Sequence, residues 1–352
     1  MPERICHETT MLRRIAKKIA TKVFNSHVFR ESIRAAILSD ETRSQIQKAF
    51  EEVVESPGFR GKISPHLFGL LLSPELQGMD PNGVASRVDR GTQLLLAQQY
   101  RERLQRNDPT LKWSDAGFRA FSPVDEDGLL LFLFTLLGTG PRTVVELGAG
   151  AGYDGLGTNW IVNHGFHGLL IEAEQDFTTK AKLFYETRAE TCLTPPHVEC
   201  ATVSGQNVDR LLTSHGFTGE TDLLSIDLDG LDYWVWKGTT VLRPRVVAVK
   251  YHPAWGPDEA RTIPDTPEFK YSEDKSAYGG ASLLAFDILA REKGYHLVGF
   301  NRAGSVAFFV RNDLKHSLLP EQPVAAGLTL DRHRLMRESL RPIIARWNWV
   351  TV

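Results

Sequence analysis

From Met11 to Phe24 the apolar residues fall in pairs every four positions: Met11 and Leu12, Ile15 and Ala16, Ile19 and Ala20, Val23 and Phe24. That spacing predicts a helix with one apolar face. Arg13, Arg14, Lys17, Lys18 and Lys22 make the opposite face basic. Such a helix packs within a fold or a dimer, lies on an anionic membrane, or serves as a transit signal. Glu3 and Glu8 argue against the last of these. A second helix is predicted around Ile46, Ala49, Phe50, Val53 and Val54, with Ser39-Asp40-Glu41 offering N-cap chemistry ahead of it. A third runs from Val84 to Leu104, after a connector over 57–81 rich in proline and glycine. Residues 1–120 therefore read as a helical cap or oligomerisation region, suited to a homodimer through these helices.

At Ser122-Pro123 the pattern changes. Pro123 and the acidic residues from Asp125 to Asp127 suit a helix N-terminus, and Leu129 to Leu137 form a buried-helix run. Short apolar stretches then alternate with helical ones. Strands are predicted at Thr143–Leu147, Gly168–Ile171, Val198–Val203, Asp222–Ile226 and Arg245–Val249, then at Tyr295–Phe300 and Ser305–Val310. Helices are predicted between them, ending near Val162 and spanning Phe177–Arg188, Val208–Ser214 and Ala281–Lys293. Alternation of this kind implies an α/β fold with a parallel, doubly wound sheet. Only Asn301 to Gly304 separate the last two strands, too few for a parallel crossover, so those strands form an antiparallel hairpin. The expected fold is a Rossmann-like seven-stranded sheet over 121–312, followed by a C-terminal extension over 313–352.

Composition narrows the function. The chain has 352 residues, and its 41 basic and 43 acidic side chains leave a formal charge of −2. A dedicated nucleic-acid binder needs a strongly basic face, so none is expected as a partner. Cys6, Cys192 and Cys200 are too few and scattered for a disulfide framework or a four-ligand zinc site, which points to a reducing, cytoplasmic setting. The apolar run from Leu129 to Leu137 falls far short of the ~20 residues that span a bilayer, so no membrane insertion is expected.

The strongest motif is the turn Gly148-Ala149-Gly150-Ala151-Gly152 after the first strand. Glycines at alternate positions let backbone approach a ligand closely. Glu172 ends the next strand 24 positions after Gly148, where a carboxylate accepts hydrogen bonds from the ribose of an adenosyl cofactor. Two cofactors compete. Gly150-Ala151-Gly152-Tyr153-Asp154-Gly155 satisfies the dinucleotide pattern GxGxxG, whereas Glu146 offers a carboxylate to a cationic amino-acid group, which S-adenosylmethionine has and a nicotinamide dinucleotide lacks. Glu146 to Gly152, Glu172, and Ile226-Asp227-Leu228-Asp229-Gly230-Leu231-Asp232 with Gly238 beyond resemble the class I S-adenosylmethionine-dependent methyltransferases. Within them the chain resembles the FkbM-like group, with its I-D-x-[DE]-G-x-[DE] stretch on the fourth strand. The resemblance covers roughly 125–312 and implies cofactor contacts at Gly148, Gly150, Gly152 and Glu172. It also implies O-methylation of sugars or natural products. Two positions depart from the group: Gly150 stands where it often has Asn, and Lys250 where it often has Glu.

Asp227, Asp229 and Asp232 cluster at the carboxyl edge of the fourth strand, where open α/β sheets bind ligands. Asp227 is a candidate for the cofactor's amino-acid end or the acceptor, and Asp229 for orienting or deprotonating a hydroxyl. Together they offer hard oxygen ligands to Mg²⁺. Asp232 suits the start of the following helix, and Lys250 is placed to neutralise the aspartates. His252 is the candidate general base, since an imidazole titrates near neutrality. The long stretch from Ala254 to Tyr278 presents Trp255 and Tyr271 for stacking on an acceptor, or for pinning the loop. The expected activity is methyl transfer to a hydroxyl of a small molecule. An N-methyltransferase, an NAD-dependent dehydrogenase and a non-catalytic cofactor-binding subunit are the alternatives.

Overall fold

The computed structural model describes residues 88–352 apart from 107, 109, 267–268 and 270–277. The helices expected over 11–24 and 46–54, the connector, the dimer they suggest, and Tyr271 lie outside the described residues. The seven-stranded sheet is present, in the order β3-β2-β1-β4-β5-β8-β7. Its strands are β1 (Thr143–Leu147), β2 (His167–Glu172), β3 (His197–Cys200), β4 (Gly219–Ile226), β5 (Leu242–Lys250), β7 (Tyr295–Phe300) and β8 (Val306–Arg311). β1 pairs in parallel with β2 and β4, β2 with β3, and β4 with β5, while β8 is antiparallel to both β5 and β7. The expected hairpin is thus real, with its second strand inserted against β5.

Apolar side chains on both faces of these strands need cover on both sides. On one face lie α1 (Arg90–Gln105), α2 (Glu126–Leu137) and α3 (Thr158–His164), with Leu129 to Phe134 all buried and Tyr100 edge-on to Phe132. The other face is covered by α5 (Val208–Ser214), α6 (Asp232–Gly238) and α7 (Leu283–Glu292), around buried Trp236, Phe286 and Phe309. Between α3 and α5 in sequence, α4 (Gln175–Glu186) packs on β2 and β3. No helix among the described residues is long and apolar enough to cross a membrane.

Boundaries moved where local signals misled. β5 begins at Leu242 and runs through Pro244, whose carbonyl accepts the Tyr295 hydroxyl at 2.7 Å. Proline lacks an N–H and reads as a strand breaker, so the sequence pattern starts this strand at Arg245. β3 ends at Cys200, and Thr202 and Val203 peel away from the sheet. Asp125 occupies the N-cap position of α2 without capping it through its side chain. Asp127 works instead on the preceding turn, where one carboxylate oxygen accepts from the N–H groups of Ala120, Phe121 and Ser122.

Two short strands and one helix have no counterpart in the sequence pattern. β6 (Arg261–Thr262) pairs antiparallel with β9 (Val350–Thr351), after α8 (Asp331–Ile344). The buried hydroxyl of Ser282 ties this pair to the main body, since it accepts from Arg261 N–H at 2.9 Å and caps α7 through Ala285 N–H at 3.2 Å. Ser282→Ala should therefore cost about 1–2 kcal/mol, read as a lower urea midpoint at unchanged slope. A midpoint within experimental error of the parent would show that neither bond contributes.

Candidate functional site

The strand order reverses between β1 and β4, and in open α/β sheets the crevice beyond the carboxyl ends at such a point is where ligands bind. A cleft of about 860 Å³ lies there. Gly148, Gly150, Glu172, Asp227 and Asp229 line it together, brought from three strand exits.

The glycines do different jobs. Gly148 has φ +84°, and a Cβ placed on it would stand 1.9 Å from the Asp227 carbonyl oxygen. Its bareness lets the exits of β1 and β4 touch, a contact secured by Asp227 N–H donating to Leu147 O at 2.9 Å. Gly150, at φ +52°, has open space where its Cβ would be, and its N–H donates to Glu172 Oε2 at 2.8 Å. The other oxygen of Glu172 accepts from Glu174 N–H at 2.9 Å, so backbone fixes the carboxylate at the rim. Gly152, at φ +72°, faces Ala181 of α4, where a Cβ would stand 2.7 Å from the alanine's own. It serves helix packing and does not line the cleft.

The turn after β4 is held as firmly. Asp232, 2% exposed, accepts from Leu228 N–H at 2.8 Å and Gly230 N–H at 2.9 Å, closing the turn on itself. Asp229 sits at φ +50°, a left-handed conformation that costs a non-glycine residue and here directs its side chain. Gly280 N–H donates to Gly230 O at 2.9 Å, and Gly279 abuts the Asp229 carbonyl, so the chain returning from the long loop braces the turn. Lys250 then bridges the two carboxylates, its Nζ 3.0 Å from Asp227 Oδ1 and 2.8 Å from Asp229 Oδ1. Burial on the cleft floor pulls the ammonium's pKa down, but the two aspartates outweigh it and hold it above its ordinary value. The lysine stands where a divalent cation would need to bind. The expectation of Mg²⁺ on Asp227 and Asp229 is corrected accordingly: this donor set already has its cation, and among the described residues no His, Cys, Asp or Glu group is arranged to hold a metal.

Glu146 is placed elsewhere. It is 3% exposed, tucked under the turn that carries Gly155 and Gly157, and its Oε1 accepts from Gly157 N–H at 2.8 Å. It lies outside the residues lining the cleft. Burial pushes its carboxyl up to about 7 from 4.5, against the pull of the Gly157 hydrogen bond. The folded protein thus holds this proton more tightly than the unfolded chain does. The stability this contributes is complete below pH 4.5 and is lost as pH rises through about 7. Glu146→Gln should therefore gain on the parent by about 3–4 kcal/mol across that window and by nothing further outside it. Urea denaturation at stepped pH measures the difference, and parallel curves would show Glu146 ionised throughout.

His252 also lies outside the cleft lining. Its Nδ1 accepts from Ala254 N–H at 3.3 Å, and its ring meets Trp349 edge-on at 5.7 Å. Trp255 is 5% exposed and packs on the same Trp349, so it pins the loop and does not stack on a ligand. Phe177 and Thr202, neither given a ligand role by the sequence, also line the cleft, as does Phe269, one of the aromatics of the long loop. Phe177 left a signal: an apolar residue, 42% exposed, at the start of α4 just beyond Glu172.

The dinucleotide pattern fits poorly. Gly155 abuts Glu146 instead of the cleft, and α3 opens only at Thr158, beyond the motif. A pyrophosphate site needs the glycine turn to run directly into a helix N-terminus.

No protein-family model matches the chain, and no curated protein is similar to it. Among solved structures it is similar to an O-methyltransferase from Bacillus cereus in complex with SAH, at 14% identity over 67% of this chain and 96% of that one, with a TM-score of 0.35. It is also similar to a SAM-dependent methyltransferase from Aquifex aeolicus, at 11% identity over 50% and 85% with a TM-score of 0.30. A SAM-dependent methyltransferase from Geobacter sulfurreducens in complex with S-adenosyl-L-homocysteine aligns at 19% identity over 53% and 70%, with a TM-score of 0.31.

Proposed function

We propose that the chain is an S-adenosylmethionine-dependent methyltransferase acting on a hydroxyl of a small molecule. The observation that carries this reading is the convergence of Gly148, Gly150, Glu172, Asp227 and Asp229 on one cleft at the switch point. The residues fit the cofactor: open space at Gly150 leaves room for it, Glu172 would accept from its ribose hydroxyls, and Asp227 would hold its cationic amino-acid end. When bound, the cofactor supplies an electrophilic methyl group. Asp229 takes the hydrogen bond of the acceptor hydroxyl, aims its lone pair and draws off its proton. Lys250 fixes both aspartates by its ion pairs and opposes the burial that raises the Asp227 carboxyl to about 6. His252 carries no step in this reading.

The cleft lining includes four carboxylates, Glu172, Glu174, Asp227 and Asp229, which supports a second reading in which an amine is bound as its cation and gives up a proton to Asp229 before its nitrogen lone pair takes the methyl group. Calorimetry tests the cofactor: S-adenosylhomocysteine should bind and NADH should not. The reverse result would overturn the proposal. Mass spectrometry of metabolites that gain a methyl group in the protein's presence tests the chemistry and locates the methylated atom. Cofactor binding with no methylated product from any extract would leave a non-catalytic subunit as the correct description.

A further inference from the structure

A second cavity, of about 490 Å³, opens at the amino end of β5, away from the cleft. That volume falls within the roughly 300–1,000 Å³ typical of small-molecule sites. Its apolar walls include Trp236, Leu242 and Tyr295, and its rim carries Arg243, Lys293 and Arg311. Arg311 is already satisfied, pairing with Asp313 at 2.7 Å and Glu220 at 2.7 Å and donating to the Arg243 carbonyl. The other two cations are not. Lys293 Nζ makes one hydrogen bond, to Thr239 O at 2.9 Å, and among the described residues neither it nor Arg243 has a carboxylate within ion-pair distance. The nearby Asp209 is engaged by Thr240 and Val241 N–H groups. Lys293 is half-buried, and burial holds its pKa below the ordinary value. Asp313 also lines the cavity and feels the Arg243 charge, but Arg311 holds its carboxylate; the partly desolvated ammonium, the Arg243 guanidinium and the aromatic wall then form a receptor for an oxyanion on an apolar body.

We propose that this cavity binds a small carboxylate or phosphate monoester, with Arg243 and Lys293 holding the oxyanion and its apolar body lying in the pocket. The site is independent of the methyltransferase reading.

Calorimetry on the full chain tests it with three probes: benzoate, phenyl phosphate and the neutral benzamide. One of the two anions should bind at least about tenfold more tightly than benzamide, and the tighter one identifies the headgroup class. Arg243→Gln and Lys293→Met should each weaken that anion by about tenfold while leaving S-adenosylhomocysteine affinity unchanged. Arg243 is exposed, so its variant keeps the fold even if Lys293→Met does not, and thermal midpoints report which is the case. The proposal is overturned if neither anion binds at millimolar concentration, or if Arg243→Gln leaves binding intact. It is equally overturned if saturating S-adenosylhomocysteine displaces the probe, which would place the anion in the first cleft.

Discussion

Gly148→Ala should cost the protein about 2–5 kcal/mol and most of its affinity for S-adenosylhomocysteine. The left-handed backbone at φ +84° contributes about 1–2 kcal/mol of that once a Cβ is present. The rest comes from the clash, because the methyl group would sit 1.9 Å from the Asp227 carbonyl, a backbone atom that no rotamer change can remove. Relief requires β1 and β4 to part at the cleft floor, which separates Gly148 from Asp227. Gly150→Ala is the control. It meets no neighbour, so its stability cost is only about 1 kcal/mol, while its methyl group intrudes on the cleft and weakens the ligand. Chemical denaturation and calorimetry on both variants read the contrast. A Gly148→Ala protein as stable as Gly150→Ala would mean that the two strand exits do not touch.

Lys250→Met should reduce methyl transfer by at least about hundredfold, the range expected when a reacting carboxylate loses its placement. Without the ammonium, Asp227 and Asp229 face each other with no charge between them. Like charges at this range favour protonation of one partner, so the acid limb of the pH–rate profile moves to higher pH. The same shift is readable without an acceptor, by carbon-13 titration of the two aspartate carboxyls in parent and variant. Lys250→Arg should restore part of the rate and most of the titration behaviour, since the positive charge is kept. Unchanged titration in Lys250→Met would remove the lysine from the argument and reopen the place between the carboxylates to another cation.

The main sheet was legible because most of its strands contain a compact apolar run bounded by turn residues, and its terminal hairpin because four residues cannot make a crossover. That Gly148, Gly150, Glu172, Asp227 and Asp229 gather at one sheet edge was legible because strand exits meet there in an α/β sheet. Glu146 was not. A carboxylate at a strand end reads as a ligand contact, and nothing local reveals that the turn through Gly155 and Gly157 folds over it. The place of Gly152 against α4 was hidden for a similar reason, as alternation of glycines cannot distinguish approach to a ligand from approach to Ala181. His252 and Trp255 were misplaced by a contact with Trp349, almost a hundred residues away and fixed by the two-residue pairing of β6 with β9. Strands that short carry no periodicity to read.

The closeness of Gly148 to Asp227 also bears on how the chain reaches its native state. These residues lie on neighbouring strands, yet two complete strand–helix units separate them in sequence. Parallel pairing of that span is a non-local event, and closing so long a loop is slow. The cleft cannot exist before β1 and β4 have joined, so competence to capture a ligand marks a late step in folding. In a refolding experiment, the signal of ligand capture should therefore lag the recovery of helical signal from α2 and α4.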